Sequence, residues 1–149
     1  MADNPFPLRS IFILTALLFI SSAACYGQNL HLLVSGMRSE KGNIILNVFK
    51  DKESYSRQQP FKKLIFEKNG PKGGTMIISF DLNPALYGIT LVDDENKDGQ
   101  LNKNFLGIPK EGFGFSNFFM EKMKKPDFDD FKTAVKSTGN KIAIRVKYM

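Results

Sequence analysis

The sequence predicts an all-β chain folded as a single antiparallel β-sandwich. Three observations carry this. From Leu30 onward the apolar residues recur with a period of two more often than about 3.6, the spacing of half-buried strands rather than helices. β-branched and aromatic residues sit between Gly, Asn, Asp and Pro, as strands sit between turns. A length of 149 residues, 42% of them hydrophobic and 24% charged, suits one domain with one core. The same balance excludes wholesale disorder, a collagen-like repeat and a polytopic membrane protein.

The first 27 residues have a different character. Arg9 precedes the apolar run Ile11 to Ile20, and the small residues Ser21-Ser22-Ala23-Ala24 follow, which is the order of a signal peptide. The run is about half of the ~20 residues that a membrane-spanning helix needs. Residues 1–27 therefore read as a leader cleaved between positions 24 and 29, and residues 28–149 as one exported domain, periplasmic or extracellular, with no transmembrane helix. Cys25 has two readings: a residue discarded with the leader, or the lipidated first residue of the mature chain, since Ser22-Ala23-Ala24-Cys25 loosely resembles a lipobox. The large aliphatic residue usual three positions before that cysteine is missing. With a single cysteine no intrachain disulfide forms, so the domain must be held by its own core or by a bound ion.

About seven strands are expected, in order: Leu30 to Met37, Asn43 to Phe49, Leu64 to Glu67, Thr75 to Leu82, Tyr87 to Asp93, Phe131 to Lys136 and Ile142 to Tyr148. Seven short strands suggest a sandwich, immunoglobulin-like or transthyretin-like. The last is the cleanest: Ile142, Ile144, Val146 and Tyr148 share one face, while Lys141, Arg145 and Lys147 stay in water. Turns are marked by Ser39 to Gly42, Asn69 to Gly74 and Ser137 to Asn140, so most neighbouring strands are expected to pair as hairpins. The Gly70 to Gly74 stretch lacks the Lys-Ser/Thr ending of a phosphate loop. Ser116 to Lys125 combines a capping Ser, good helix formers and a stop at Pro126, which predicts one short helix or an irregular crossover near 116–125.

The stretch that carries chemistry is Asp93 to Asn104. Four of the 15 acids of a basic chain, Asp93, Asp94, Glu95 and Asp98, lie within six positions. Aligned on a calcium loop, Asp94, Asn96 and Asp98 take positions one, three and five, Gly99 the sharp turn at six, Gln100 the backbone carbonyl at seven and Asn102 position nine. Ca²⁺ asks for six to eight oxygens, and alternating Asp and Asn on a turning backbone converge several of them. Two features depart from a helix–loop–helix: position twelve is Phe105 rather than Glu, and the preceding Tyr87 to Val92 is a strand. Glu111 is the candidate that closes the shell from further along. The competing reading is a solvated Asp/Asn turn without metal. If bound, the ion would be structural, at the ~10⁻⁴ to 10⁻³ M affinity of extracellular modules.

Next comes Phe105 to Phe119, in which Gly107, Gly112 and Gly114 alternate with aromatics. The favoured reading is a long loop folded back to cap one end of the sandwich; the other is a ligand surface built on Phe113, Phe115 and Phe118. The third Gly of a dinucleotide fingerprint is absent.

Here the residues carry a resemblance. Leu91-Val-Asp-Asp-Glu-Asn-Lys-Asp-Gly-Gln-Leu-Asn102 and Gly107-Ile-Pro-Lys-Glu-Gly-Phe-Gly-Phe-Ser-Asn117, with Leu32-Leu-Val-Ser-Gly-Met37 and Gly42-Asn-Ile-Ile-Leu-Asn-Val-Phe49, resemble the bacterial secreted family catalogued as domain of unknown function 2141. The resemblance spans nearly all of the mature chain and implies a small exported β-sandwich with no established activity. Where that family usually has a His before its Asp-Glu-Asn, this chain has Asp93.

The residue inventory argues against an enzyme. His31 stands alone at a strand start, no cysteine follows Cys25, and N/S zinc ligation is excluded. Asp94 with Glu111 could perform acid–base work on a glycan as a carboxylate-dependent hydrolase, but is better placed to hold a cation. The expected role is a binding or accessory module of the cell envelope, with a glycan, a peptide or an envelope protein as partner; the alternative is a metal-free structural domain. A net charge of +6 and a pI near 9.4 would suit nucleic acid, but the lysines are scattered between strands rather than gathered with aromatics, and no nucleic acid is expected.

Overall fold

A computed structural model describes residues 28–69, 73–122 and 124–149; the leader, its cleavage site, Cys25 and part of the Asn69 to Gly74 turn lie outside the described residues. The described residues are all-β with two short helices. In order it forms β1 (Leu30–Ser35), β2 (Asn43–Phe49), α1 (Lys52–Ser56), β3 (Lys62–Glu67), β4 (Met76–Phe80), β5 (Ala85–Asp94), β6 (Gly112–Phe115), α2 (Phe128–Phe131), β7 (Lys132–Val135) and β8 (Asn140–Arg145). Two sheets result. The smaller has the order β4-β1-β8; the larger runs β3-β2-β5-β6, with β7 also on β5. No helix among the described residues is long and apolar enough to cross a membrane.

The period of two decides what lies between the sheets. Leu30, Leu32 and Val34 of β1, Ile142 and Ile144 of β8 with Val146, and Ile78 and Phe80 of β4 turn one way; Ile44, Leu46 and Val48 of β2 and Tyr87, Ile89 and Leu91 of β5 turn to meet them in one buried cluster. At about 25 cal/mol per Å² of apolar area removed from water, this cluster is the main source of stability in a chain with no disulfide.

A second cluster lies on the opposite face of the large sheet. Phe49, Tyr55, Phe113, Phe115, Met120, Phe128 and Phe131 pack together there, with Leu101 and Phe118 partly buried against them. The rings meet edge-on or tilted, Tyr55 with Phe131 at 4.9 Å and Phe115 with Phe131 at 5.2 Å between centroids, the arrangement the ring quadrupoles favour. Both helices serve this layer. Asp51 caps α1 by accepting the Ser54 N–H at 2.7 Å, and Asp127 opens α2 with a capping box to Asp130. Gly88 makes room for the layer, because a Cβ on it would run into Phe128 and Phe131.

Several expectations are corrected. The pairing is not wholly antiparallel: β1 and β8 run parallel, Leu30 opposite Asn140 through Ser35 opposite Arg145. β8 arrives from β7 in the other sheet, so a crossover rather than a hairpin sets its direction. For the same reason β1 and β2 do not pair, although they are neighbours in sequence. The described residues hold eight strands rather than about seven. The additional one is β6, inside the stretch expected to be a loop; its Gly112 and Gly114 face the core, where a Cβ would strike Val146, Tyr148 or Ile144, and its phenylalanines face the aromatic layer. Glycine is poor in strands unless another chain segment approaches closely, which is the case here. No helix forms among the described residues of 116–125. Ser116 is buried, donating to the Phe131 carbonyl and accepting the Ile89 N–H, so it is not a cap, and Asn117 has a positive φ of 52° that a helix does not tolerate. Lys147, expected in water, is half-buried and its ammonium reaches the Glu121 carbonyl at 3.1 Å.

Candidate metal centre and its neighbours

β5 ends in two consecutive carboxylates, and alternation sends them to opposite faces. Asp94 turns to the face of the aromatic layer and begins the acidic loop. Its carboxylate accepts the N–H groups of Asp98 at 3.1 Å and Gly99 at 3.0 Å, bending the chain back over its own strand end. Gly99 has the positive φ, 79°, that position six of a calcium loop needs. Asp98 accepts the Gln100 N–H at 2.9 Å, the Asn96 amide at 3.0 Å and the Asn102 amide; the Asn102 contact is the main reason its carboxyl lies below the usual range.

Glu111 closes the group from the strand entry of β6. One carboxylate oxygen from each of Asp94, Asp98 and Glu111 lies within 4.8 Å of the others. Glu111 is only 5% exposed; its Oε2 accepts the Asn102 N–H at 3.1 Å, while its Oε1 is buried with no hydrogen-bond partner. Burial raises the Glu111 carboxyl above its ordinary range, the Asn102 N–H opposes that, and the negative charge of Asp94, Asp98 and Asp93 adds to the rise. A cleft of about 350 Å³ lies beside the group, lined by Glu95, Asn96, Asp98, Asn102, Lys103 and Glu111 among others.

Of the residues expected to ligate, Asp94, Asp98 and Glu111 are brought together, and Asn96 and Asn102 hold Asp98. Gln100 instead lines a second cleft. Phe105, at position twelve, is 95% exposed and offers nothing to an ion. One residue was missed from the sequence. Asn43 stands opposite Asp94 in the β2–β5 register and projects to the same face, and its Oδ1 is buried without a partner. Its place on a strand far from the acidic run hides it; only the register finds it.

The phenylalanines read as part of a loop cap or, alternatively, as a ligand surface lie in the aromatic layer. Phe113 and Phe115 are buried, and Phe118 is partly buried against them. Phe113 and Phe115 floor the second cleft, about 900 Å³, between the outer face of the large sheet and the loop after the acidic turn, with Lys63, Lys103 and Lys125 at its rim. Within 105–119 the exposed large apolar residues are Phe105, Leu106 and Phe119. His31 lies on the exposed face of β1, its Nδ1 2.8 Å from Ser79 Oγ across the strand pair, with no acid beside it.

Asp93, one residue before the acidic loop, faces the inner core. Its carboxylate contacts the Lys68 ammonium, and neither side chain has any exposed surface. Tyr148 donates to Asp93 Oδ2, the Arg38 N–H donates to Tyr148 Oη at 3.1 Å, and the Arg38 guanidinium lies 4.4 Å over the Tyr148 ring. Arg38 also makes a forked contact with Glu95, at 2.6 and 3.2 Å. Lys68 further donates to the Ser39 carbonyl at 3.1 Å.

Fold and site define a small two-sheet β-domain with an acidic loop at one end and a buried ionic group beneath it. The chain belongs to the family described as uncharacterized protein conserved in bacteria (DUF2141), whose model matches residues 32–143. No curated protein and no solved structure matches it.

Proposed function

We propose that this is an exported bacterial β-sandwich domain that binds Ca²⁺ through Asp94, Asp98 and Glu111, with Asn96, Asn102 and Asn43 completing the oxygen set, and that it serves as a binding or accessory module of the cell envelope. The single observation behind the metal is the buried, unpartnered Glu111 Oε1 next to two further carboxylates. A buried carboxylate oxygen without a donor costs roughly 1 to 3 kcal/mol or more, and a divalent cation removes that cost together with the repulsion among the three acids. An all-oxygen set at a sharp turn suits a hard cation, and calcium tolerates the irregular geometry that magnesium does not.

The ion would brace the end of β5 against the entry of β6 rather than perform chemistry. Asp94 and Glu111 are thereby occupied as ligands, so we assign no carboxylate-dependent hydrolase activity, and His31 has no catalytic partner. For a binding role the 900 Å³ cleft is the natural seat, since its apolar floor and lysine rim suit a peptide, glycan or envelope protein carrying negative charge. The second reading, a purely structural domain, draws support from the burial of Phe113 and Phe115, which pack as core rather than stand out as an exposed aromatic platform.

A thermal melt of the chain in millimolar calcium, millimolar magnesium or chelator tests the metal. Calcium is expected to raise the melting temperature and magnesium to do so less, because a ligand of the native state must stabilise it. Identical melts in all three would remove the ion from this account.

A further inference from the structure

We propose that Lys68 and Asp93 are joined by an isopeptide bond that forms spontaneously inside the fold. Four observations carry this. Both side chains are fully buried at the end of the inner core, with Ile44 opposite Asp93 in the strand register and Tyr148 bonded to it. They come from different strands: Lys68 follows β3, its N–H on the Gly42 carbonyl at 3.3 Å, and Asp93 lies on β5, with β2 between them. The amine nitrogen touches the carboxylate, yet Asp93 Oδ1 has no hydrogen-bond partner, so Nζ stands off the direction in which an ammonium would donate to that oxygen. The other oxygen, Oδ2, already accepts the Tyr148 hydroxyl.

The chemistry balances with these groups alone. The Nζ electron pair attacks Asp93 Cγ and forms the C–N bond; the Cγ–Oδ2 bond breaks, and its electron pair leaves with oxygen. Two of the three ammonium protons end on that oxygen as one water, and the third stays on the amide nitrogen. Tyr148 Oη–H, bonded to Oδ2 and held by the Arg38 N–H, is placed to hand over a proton as the oxygen departs and to recover one from Nζ. No oxidant, reductant or activated donor is needed. Fixed neighbours reach effective molarities of ~10⁵ to 10⁸ M, which outweighs the bulk water that opposes condensation of free amines and acids. Burial acts in the same direction, because an amide replaces a buried ion pair whose desolvation is expensive. The product would tie β3 to β5 across β2 in a chain that has no disulfide to do so.

Intact mass of the purified full chain under denaturing conditions tests this, with tandem spectra of a digest fixing the first residue. The expected result is a mass one water below that of the residues present, and a branched peptide joining Lys68 to Asp93. Lys68→Met and Asp93→Ala are expected at the full sequence mass. Tyr148→Phe is expected to leave an uncondensed fraction; complete condensation in that variant would remove Tyr148 from the step. A cooperatively melting wild-type chain at its full mass would overturn the bond, and so would a lost water that maps to a succinimide at Asp98-Gly99.

Discussion

Asp93 and Asp94 are consecutive residues of one strand with the same side chain, yet they face opposite worlds. Asp93 points between the sheets, where Lys68 and Tyr148 meet its carboxylate and neither the Asp93 nor the Lys68 side chain has exposed surface. Asp94 points to the other face, where its nearest charged neighbours are two more carboxylates, Asp98 and Glu111. The first site has a lysine of the chain itself against its carboxylate; the second gathers three carboxylates with no lysine or arginine paired to them among the described residues. What separates them is the strand's period of two, not the chemistry of the residue. The pair teaches that an acidic run at a strand end is two half-runs, and that each half must be balanced on its own face.

The largest effect is expected on the inner side. Lys68→Met leaves Asp93 buried with only Tyr148 beside it and is expected to lower stability by about 3 to 5 kcal/mol, the usual effect of removing one partner of a buried pair. Urea denaturation reads this directly. The double replacement Lys68→Met with Asp93→Leu is expected to leave much of the loss in place, because apolar packing does not replace a lost cross-link; recovery of most of the loss would be the behaviour of a simple ion pair and would count against the bond.

On the outer side the expected effect is smaller and has the opposite sign without metal. Glu111→Gln removes one of three like charges and keeps the shape, so the metal-free variant is expected to melt at or above the wild-type temperature. In calcium at ~100 times the dissociation constant the wild type gains about 2.7 kcal/mol, and the variant is expected to lose most of that gain. A variant that still responds fully to calcium would take Glu111 out of the ion's shell.

How far the sequence displayed this division depends on the kind of residue. Strands such as Lys141 to Val146 were legible, because alternating Ile and Lys admit one reading. β6 was not, because its glycines are explained only by Ile144, Val146 and Tyr148 pressing on it from a distant strand. Asp94 and Asp98 were legible from the calcium-loop spacing and Glu111 as a carboxylate further along; Asn43 was not, because it comes opposite Asp94 only through the register of β2 with β5. Phe113 and Phe115 read as a platform or a cap, and only the aromatic layer decides that they are buried. Lys68 gave no signal at all, since nothing in a lysine between a strand end and a turn says that it will lie beneath Asp93.

The smallest effect tests the seam between the two sides. Arg38 bridges them, its guanidinium on the Glu95 carboxylate of the acidic loop and on the Tyr148 ring above Asp93. The arginine hydrogen bond holds Glu95 below its ordinary value of 4.5, with burial opposing and the Arg38 charge adding. A carboxyl lowered in the folded state adds stability that is present above its unfolded pKa and is lost as pH falls through the folded one. The Arg38 side chain is 50% exposed, so solvent screens the pair and its contribution stays within about 1 kcal/mol. Arg38→Ala is therefore expected to cost up to about 1 kcal/mol at neutral pH, and a smaller amount, from the lost contact with the Tyr148 ring, once Glu95 is protonated well below 4.5. Paired urea titrations of wild type and variant across that range measure it. A difference that does not shrink toward acid would place the value of Arg38 in its packing on Tyr148, and make it a support of the inner site alone.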